Sequence, residues 1–168
     1  MIRRFQFEAE IYETFSCVPM AGRRKLDRVG LKVSLEQWQK LGRGERLMIC
    51  HAPAESDEEC DALRLFVREV TFARCGVIPK DLPDEVRQGA TPPAAPPPQL
   101  VDNAKAAGVM ITQNAWDGLD DDERYALIKL GGGAPQSHNL EVALAEFLGP
   151  AAEQDPGGEL NRIKCQRA

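Results

Sequence analysis

The chain has 168 residues, of which 43% are hydrophobic and 28% charged, a composition typical of a folded globular protein and not of a disordered one. It lacks the run of ~18 apolar residues that a membrane-spanning helix needs, and its N-terminus carries charges where a signal peptide is apolar. We therefore expect a cytoplasmic protein with no membrane contact.

The net charge of −5 is unevenly distributed along the chain. Residues 22–46 hold eight cations against three carboxylates, so the remainder of the chain is strongly acidic. Such asymmetry can steer an anionic or acidic partner onto one face, although a solvated helix surface also produces charge runs.

The first distinctive segment in chain order is FSCVPMAGRRKLD, residues 15–27. Pro19 suits the first turn of a helix, and Arg23 precedes Asp27 by four residues, a spacing that permits an ion pair within that helix. We expect a loop and helix start whose apolar residues anchor it while its cations face a partner. The candidate partner-binding residues are Cys17, Met20, Arg23, Arg24, Lys25 and Asp27.

Cys17 permits an alternative interpretation as the nucleophile of a small thiol-dependent enzyme or redox-regulatory protein. The arginines after it and the helix start at Pro19 could activate its thiol. A packing role is the other interpretation, since Cys17 stands beside Val18 and Met20.

The chain repeats one pattern at an offset of 78 residues. GLKVSLEQWQKLGRGERLMI, from Gly30, aligns with GVMITQNAWDGLDDDERYAL, from Gly108, and both tryptophans of the chain fall at the same place in the repeat. This match predicts an internal duplication. Each copy is predicted to contain a helix that ends at a glycine, a three-residue strand and two further helices. These two helices begin after Ser34 and Gly42 in the first copy, and after Thr112 and Asp120 in the second.

The predicted fold is mainly α, with two pseudo-repeated helical halves at about 5–76 and 99–149. The two short strands, residues 31–33 and 109–111, should pair near a pseudo-two-fold axis. A proline-rich linker at 81–99, where regular structure is not expected, joins the halves into one domain of residues 1–149. Residues 150–168 have few apolar side chains and are predicted to be a mobile tail.

The matched residues of the two copies are predicted to be core anchors. Trp38 and Trp116 stand on capped helices, where burial is more common than a role as an aromatic clamp for a ligand. Arg46 and Arg124, each beside a glutamate, could bind an anion. The favoured interpretation is that their charges hold helices together, either at the surface or beneath the tryptophans.

Other functional classes receive little support. The five cysteines are odd in number and show no C-x-x-C spacing, so neither disulfides nor a metal site is indicated. A helix-turn-helix that reads nucleic acid is disfavoured, because Asp117, Asp120, Asp121 and Asp122 would meet phosphate in the second copy. Phosphate-binding and dinucleotide-binding loops are absent from the sequence, and we expect a protein without catalysis or a cofactor.

Three blocks of the sequence resemble the nitrate reductase-associated protein family. The first holds FQFE (residues 5–8), CVPM (17–20), Arg23, KLD (25–27), Gly30 and Trp38. The second is GVMITQNAWDGLDDDERYALIKL, and the third is the closing LEVALAEFL. The resemblance covers about residues 4–149, apart from the proline-rich stretch at 92–98.

The resemblance implies a cytoplasmic accessory protein that assimilatory nitrate reductase requires for activity. It further implies a role in molybdenum-cofactor supply or in maturation of the reductase, and it carries no catalytic residues. The expected partners are therefore nitrate reductase or its molybdenum-cofactor machinery.

Overall fold

The computed structural model describes residues 2–132 and 138–149. Within them, a 3-10 turn (Gln6–Glu8) leads into ten α-helices and two short strands. The elements in chain order are α1 (Ala9–Thr14), α2 (Met20–Arg28), β1 (Leu31–Lys32), α3 (Leu35–Lys40), α4 (Arg43–His51), α5 (Asp57–Cys75), β2 (Lys80–Asp81), α6 (Asp84–Gln88), α7 (Pro98–Ala106), α8 (Gln113–Asp117), α9 (Asp121–Gly131) and α10 (His138–Leu148). The predicted mainly α fold is confirmed.

Local signals in the sequence place most helix boundaries. Ser34 and Ser56 each accept a hydrogen bond from the backbone N–H three residues on, and so does Asp120 at the start of α9. Gly30 and Gly108 follow α2 and α7 with φ of 70° and 80°, the left-handed conformation that glycine adopts without steric cost.

The predicted pairing of the two short strands is wrong. β1 pairs antiparallel with β2, so that Leu31 lies opposite Asp81, while residues 109–111 are not in a strand. The partner of β1 comes from the chain that follows α5. The corresponding chain after α10 lies outside the described residues, and a pairing across a two-fold axis is not formed.

Hydrogen bonds of the two halves correspond at an offset of 78 residues. Trp38 donates from Nε1 to the carbonyl of Phe15 over 2.8 Å, and Trp116 donates to the carbonyl of Pro93 over 3.1 Å. Arg46 donates to the carbonyl of Gln39 and Arg124 to that of Asp117, again 78 residues apart. The internal duplication as an event in the history of the chain stays a prediction.

Each tryptophan lies in its own apolar cluster. Trp38 packs among Leu26, Ile49 and Leu63, whereas Trp116 packs among a set from the second half that includes Leu100, Leu127, Leu140 and Leu144. Both indole rings are fully buried. Neither ring therefore has a face available to stack a ligand.

The segment between the halves is more ordered than its prolines suggest. It includes part of β2, the helix α6 and the first residues of α7. α6 packs against α2, and Ala90, two residues after the end of α6, is buried. The expectation that residues 81–99 lack regular structure is therefore wrong. The predicted tail, residues 150–168, lies outside the described residues.

The N-terminal segment packs against the last described helix. The rings of Phe5 and Phe7 lie 5.1 and 6.1 Å from that of Phe147 in α10. The Glu146 carboxylate accepts hydrogen bonds from the backbone N–H groups of Gln6, at 2.8 Å, and Phe7, at 3.2 Å. The two ends of the described chain are thus joined.

Candidate functional site

The loop before α2 is anchored through Phe15. Phe15 is buried and left-handed, with φ of 52°, and it ends α1. Its carbonyl accepts hydrogen bonds from Trp38 Nε1 and, at 3.1 Å, from Arg46 Nη1. These two predicted core anchors therefore hold the beginning of the segment that carries the candidate partner-binding residues.

The N-terminus of α2 is capped by a carboxylate from outside the helix, which the sequence pattern does not indicate. Glu8 is buried and accepts a hydrogen bond from the backbone N–H of Met20, at 2.9 Å, and another from the Tyr12 hydroxyl. Pro19, as the residue before the helix, offers no side-chain cap. Burial raises the pKa of Glu8, while the bonds from Tyr12 and Met20 oppose that rise.

Arg24 is buried and bonded within the chain. Its guanidinium donates to the Ala90 carbonyl at 2.9 Å, to Asp121 at 3.0 Å and to Asp122 at 3.1 Å. The two aspartates stand in the first turn of α9, so this arginine ties the first half to the second. Its expected orientation toward a partner is wrong, because only 9% of the side chain is exposed.

Lys25 is also engaged internally. Its Nζ donates to the carbonyls of Cys50, at 2.8 Å, and Ala52, at 2.6 Å, at the C-terminal end of α4. A cation there complements the helix dipole and satisfies carbonyls that lack a partner within the helix. Burial lowers the pKa of Lys25, partly opposed by Asp122. The expectation of a partner-facing charge fails here too.

Asp27 forms a second link between the halves. It accepts a hydrogen bond from the Tyr125 hydroxyl at 2.6 Å and forms an ion pair with Lys129 Nζ at 2.8 Å, and both of these residues lie in α9. These donors take the place of the predicted pairing with Arg23. Burial and the bond to Asp27 raise the pKa of Tyr125 far above its ordinary value.

Arg23, in contrast, is exposed at the edge of a cavity of about 330 Å³. The cavity lies among α2, β1, α6 and α9, with Lys32, Lys129 and Asp27 as its other charged residues. The charge of Lys129 is compensated by Asp27. Among the described residues, Arg23 and Lys32 have no ion pair, so the cavity attracts anions.

The other two candidate residues flank this region. Cys17 is exposed, so the interpretation as a buried packing residue is wrong, while Met20 is half-buried at the first position of α2. Cys50, Cys60 and Cys75 are free thiols as well, and Cys165 lies outside the described residues.

Two further observations bear on the kind of site present. Within residues 2–132 and 138–149, no three His, Cys, Asp or Glu side chains form a group that could hold a metal. No helix in this part of the chain is long and apolar enough to cross a membrane. Fold and site together define a mainly helical protein whose charged cavity lies where its two halves meet.

Comparison with known proteins gives the family. The model of the conserved nitrate reductase-associated protein family matches residues 4–147, and the chain belongs to that family. A search of curated proteins and a search of solved structures each gave no significant match.

Proposed function

We propose that this protein is a non-catalytic accessory factor that assimilatory nitrate reductase requires for activity. It acts in maturation of the reductase or in supply of its molybdenum cofactor, through direct binding to the reductase or to that machinery. The family match over residues 4–147 supports an association with nitrate reductase.

One contrast among three adjacent cations supports the binding face. Arg24 and Lys25 are used inside the fold, whereas Arg23 extends from the same helix without an ion pair among the described residues. A partner with an acidic surface, or an anionic group on a cofactor, would find its charge complement there. Complementary charges of this kind set association rates and weaken as salt screens them.

The test compares Arg23→Glu with Lys105→Glu, a matched reversal of an exposed lysine in α7. Cells that lack the protein are complemented with each variant and assayed for nitrate reductase activity. Binding of the purified proteins to the reductase is measured by interferometry at rising salt. Arg23→Glu should weaken binding by about tenfold or more and reduce activity, while Lys105→Glu should do neither. Full complementation by Arg23→Glu, or binding that salt does not weaken, would remove this face from the proposal.

Because the Cys17 thiol is exposed, the same assays also test the second candidate function, in which Cys17 carries out thiol chemistry. Under the proposed function, Cys17→Ser binds the reductase and supports its activity like the unaltered protein. A folded Cys17→Ser variant that binds but does not support activity would favour thiol chemistry over a purely binding role.

A further inference from the structure

Two lysines face each other across the small sheet. Lys32 of β1 lies directly opposite Lys80 of β2. Side chains in such positions have Cβ atoms about 5 Å apart, and like charges placed there repel each other. The small sheet therefore lacks the opposite-charge pair that would stabilise it at this position.

The carboxylates next to this pair are already engaged by other cations. Asp81, the neighbour of Lys80, lies 2.5 Å from Arg64 and 3.4 Å from Arg68. Glu36 pairs with Lys40 at 2.7 Å. Among the residues that the structure describes, Lys32 and Lys80 form no ion pair of their own.

Both lysines line a cleft of about 510 Å³ beside α3 and the end of α5. Small-molecule pockets commonly enclose 300–1,000 Å³, so the cleft has the volume of a ligand site. Its other polar lining consists of the Ser34 hydroxyl, the Gln37 side-chain amide and the Lys40–Glu36 ion pair, whose two charges offset each other. The Ser34 backbone N–H donates a hydrogen bond to the side-chain oxygen Oε1 of Gln37. The side-chain nitrogen Nε2 of Gln37 is therefore the atom that can donate to a ligand.

The lining of the same cleft also includes apolar side chains. Val77 and Ile78 are 57% and 47% exposed, although both are large hydrophobic residues. They follow Gly76, whose left-handed conformation ends α5 and turns the chain toward β2. A ligand that fills the cleft would cover this apolar surface and also contact the lysines.

We infer that the cleft binds a small aromatic phosphate monoester. The phosphate lies between Lys32 and Lys80, because its several oxygens can accept from two ammonium groups at once. The ring lies against Val77 and Ile78. The cleft is distinct from the cavity that Arg23 lines but adjoins it, because Lys32 lines both.

The experiment uses the full chain and four probes. Flavin mononucleotide and adenosine monophosphate carry a ring and a phosphate, riboflavin carries the flavin ring alone, and inorganic phosphate has no ring. Flavin binding is measured by fluorescence, and adenosine monophosphate and inorganic phosphate by competition. We expect riboflavin to bind at least about tenfold more weakly than flavin mononucleotide, and inorganic phosphate to compete at least about tenfold more weakly than adenosine monophosphate.

The location is tested with Lys32→Gln combined with Lys80→Gln, against Lys105→Gln as the control. The double variant should lose at least about tenfold in affinity for flavin mononucleotide, and the control should retain it. Equal binding by the double variant would overturn the inference. So would equal affinities for flavin mononucleotide and riboflavin, competition by inorganic phosphate as strong as that by adenosine monophosphate, or no measurable binding of either ring phosphate at millimolar concentration.

A stability measurement provides a second test that needs no ligand. Lys80→Gln removes the repulsion across the sheet, so the melting temperature of the unliganded protein should rise. A fall in melting temperature would mean that the pair stabilises the fold, and the reasoning for a ligand-directed pair would fail.

Discussion

Arg23 and Arg24 are adjacent in the chain, but we expect truncation of Arg24 to destabilise the fold strongly and truncation of Arg23 to change its stability little. Arg24→Ala removes three charge-assisted hydrogen bonds and leaves the fully buried Ala90 carbonyl without its side-chain donor. Removing one partner of a buried ion pair typically costs about 3–5 kcal/mol. Asp121 and Asp122 are 52% and 25% exposed, so water compensates part of that loss. We expect the free energy of unfolding to fall by about 2–4 kcal/mol.

Chemical denaturation at pH 7 measures this difference, and thermal unfolding should show a melting temperature lower by about 10 °C. Arg23→Ala is the matched control, since an exposed side chain without an ion pair among the described residues should change stability by no more than about 0.5 kcal/mol. Similar losses for the two variants, or a loss below about 1 kcal/mol for Arg24→Ala, would refute the assignment of Arg24 as the link between the halves.

The same variant has a pH dependence of known sign. Burial raises the pKa of Asp122, and Arg24 opposes that rise. Without Arg24, the pKa of Asp122 in the folded state rises further above its value in the unfolded state. The Asp122 carboxyl then binds a proton more readily in the native state than in the unfolded state. Stability is therefore lost as the pH rises through the folded-state pKa of Asp122. The deficit of Arg24→Ala should therefore be smaller at pH 5 than at pH 7, and a deficit that grows on acidification would contradict this.

Three further predictions concern the interior and the thiols. Glu8 has a pKa raised by burial from 4.5, so the native state loses stability as pH rises through that pKa; Glu8→Gln should flatten the denaturation profile above about pH 4.5, and an unchanged slope would contradict this. Trp38→Phe and Trp116→Phe each delete one buried hydrogen bond and part of a ring, and each should lower the free energy of unfolding by about 1–3 kcal/mol; a negligible loss at either position would be inconsistent with its burial. Maleimide should label exposed Cys17 in the native protein, whereas Cys50, buried and with its pKa raised to about 12, should react only after unfolding; mass spectrometry of labelled peptides checks the order.

The sequence predicted the features that depend on a few neighbouring residues. Ser34 and Asp120 begin their helices, and Gly30 and Gly108 end theirs, because caps and left-handed turns are set within one turn of chain. Trp38 is buried as expected of an aromatic residue on a capped helix.

The orientation of the cations on α2 depends on contacts that are remote in sequence. Arg24 meets Asp122 across 98 residues, and Lys25 meets the end of α4 across 25. Spacing on one helix gives directions relative to that helix, but it does not say which direction another helix will cover. The partner of β1 was missed for the same reason, since β2 ends at Asp81, the first residue of the stretch whose prolines suggested an irregular linker.

The contact between the two ends of the described chain has a consequence for the order of folding. Gln6 meets Glu146 across 140 residues, so the Phe5 and Phe7 rings cannot reach their site until α10 has formed. Contacts of such high sequence separation carry a large loop-closure cost and tend to form late. During synthesis Phe5 and Phe7 therefore cannot make these contacts before α10 has been synthesised. Because residues 5–7 lie against residues 146–147, we expect a circular permutant that joins residue 149 to residue 2 through a short linker to fold, and the two segments would then be neighbours in its sequence.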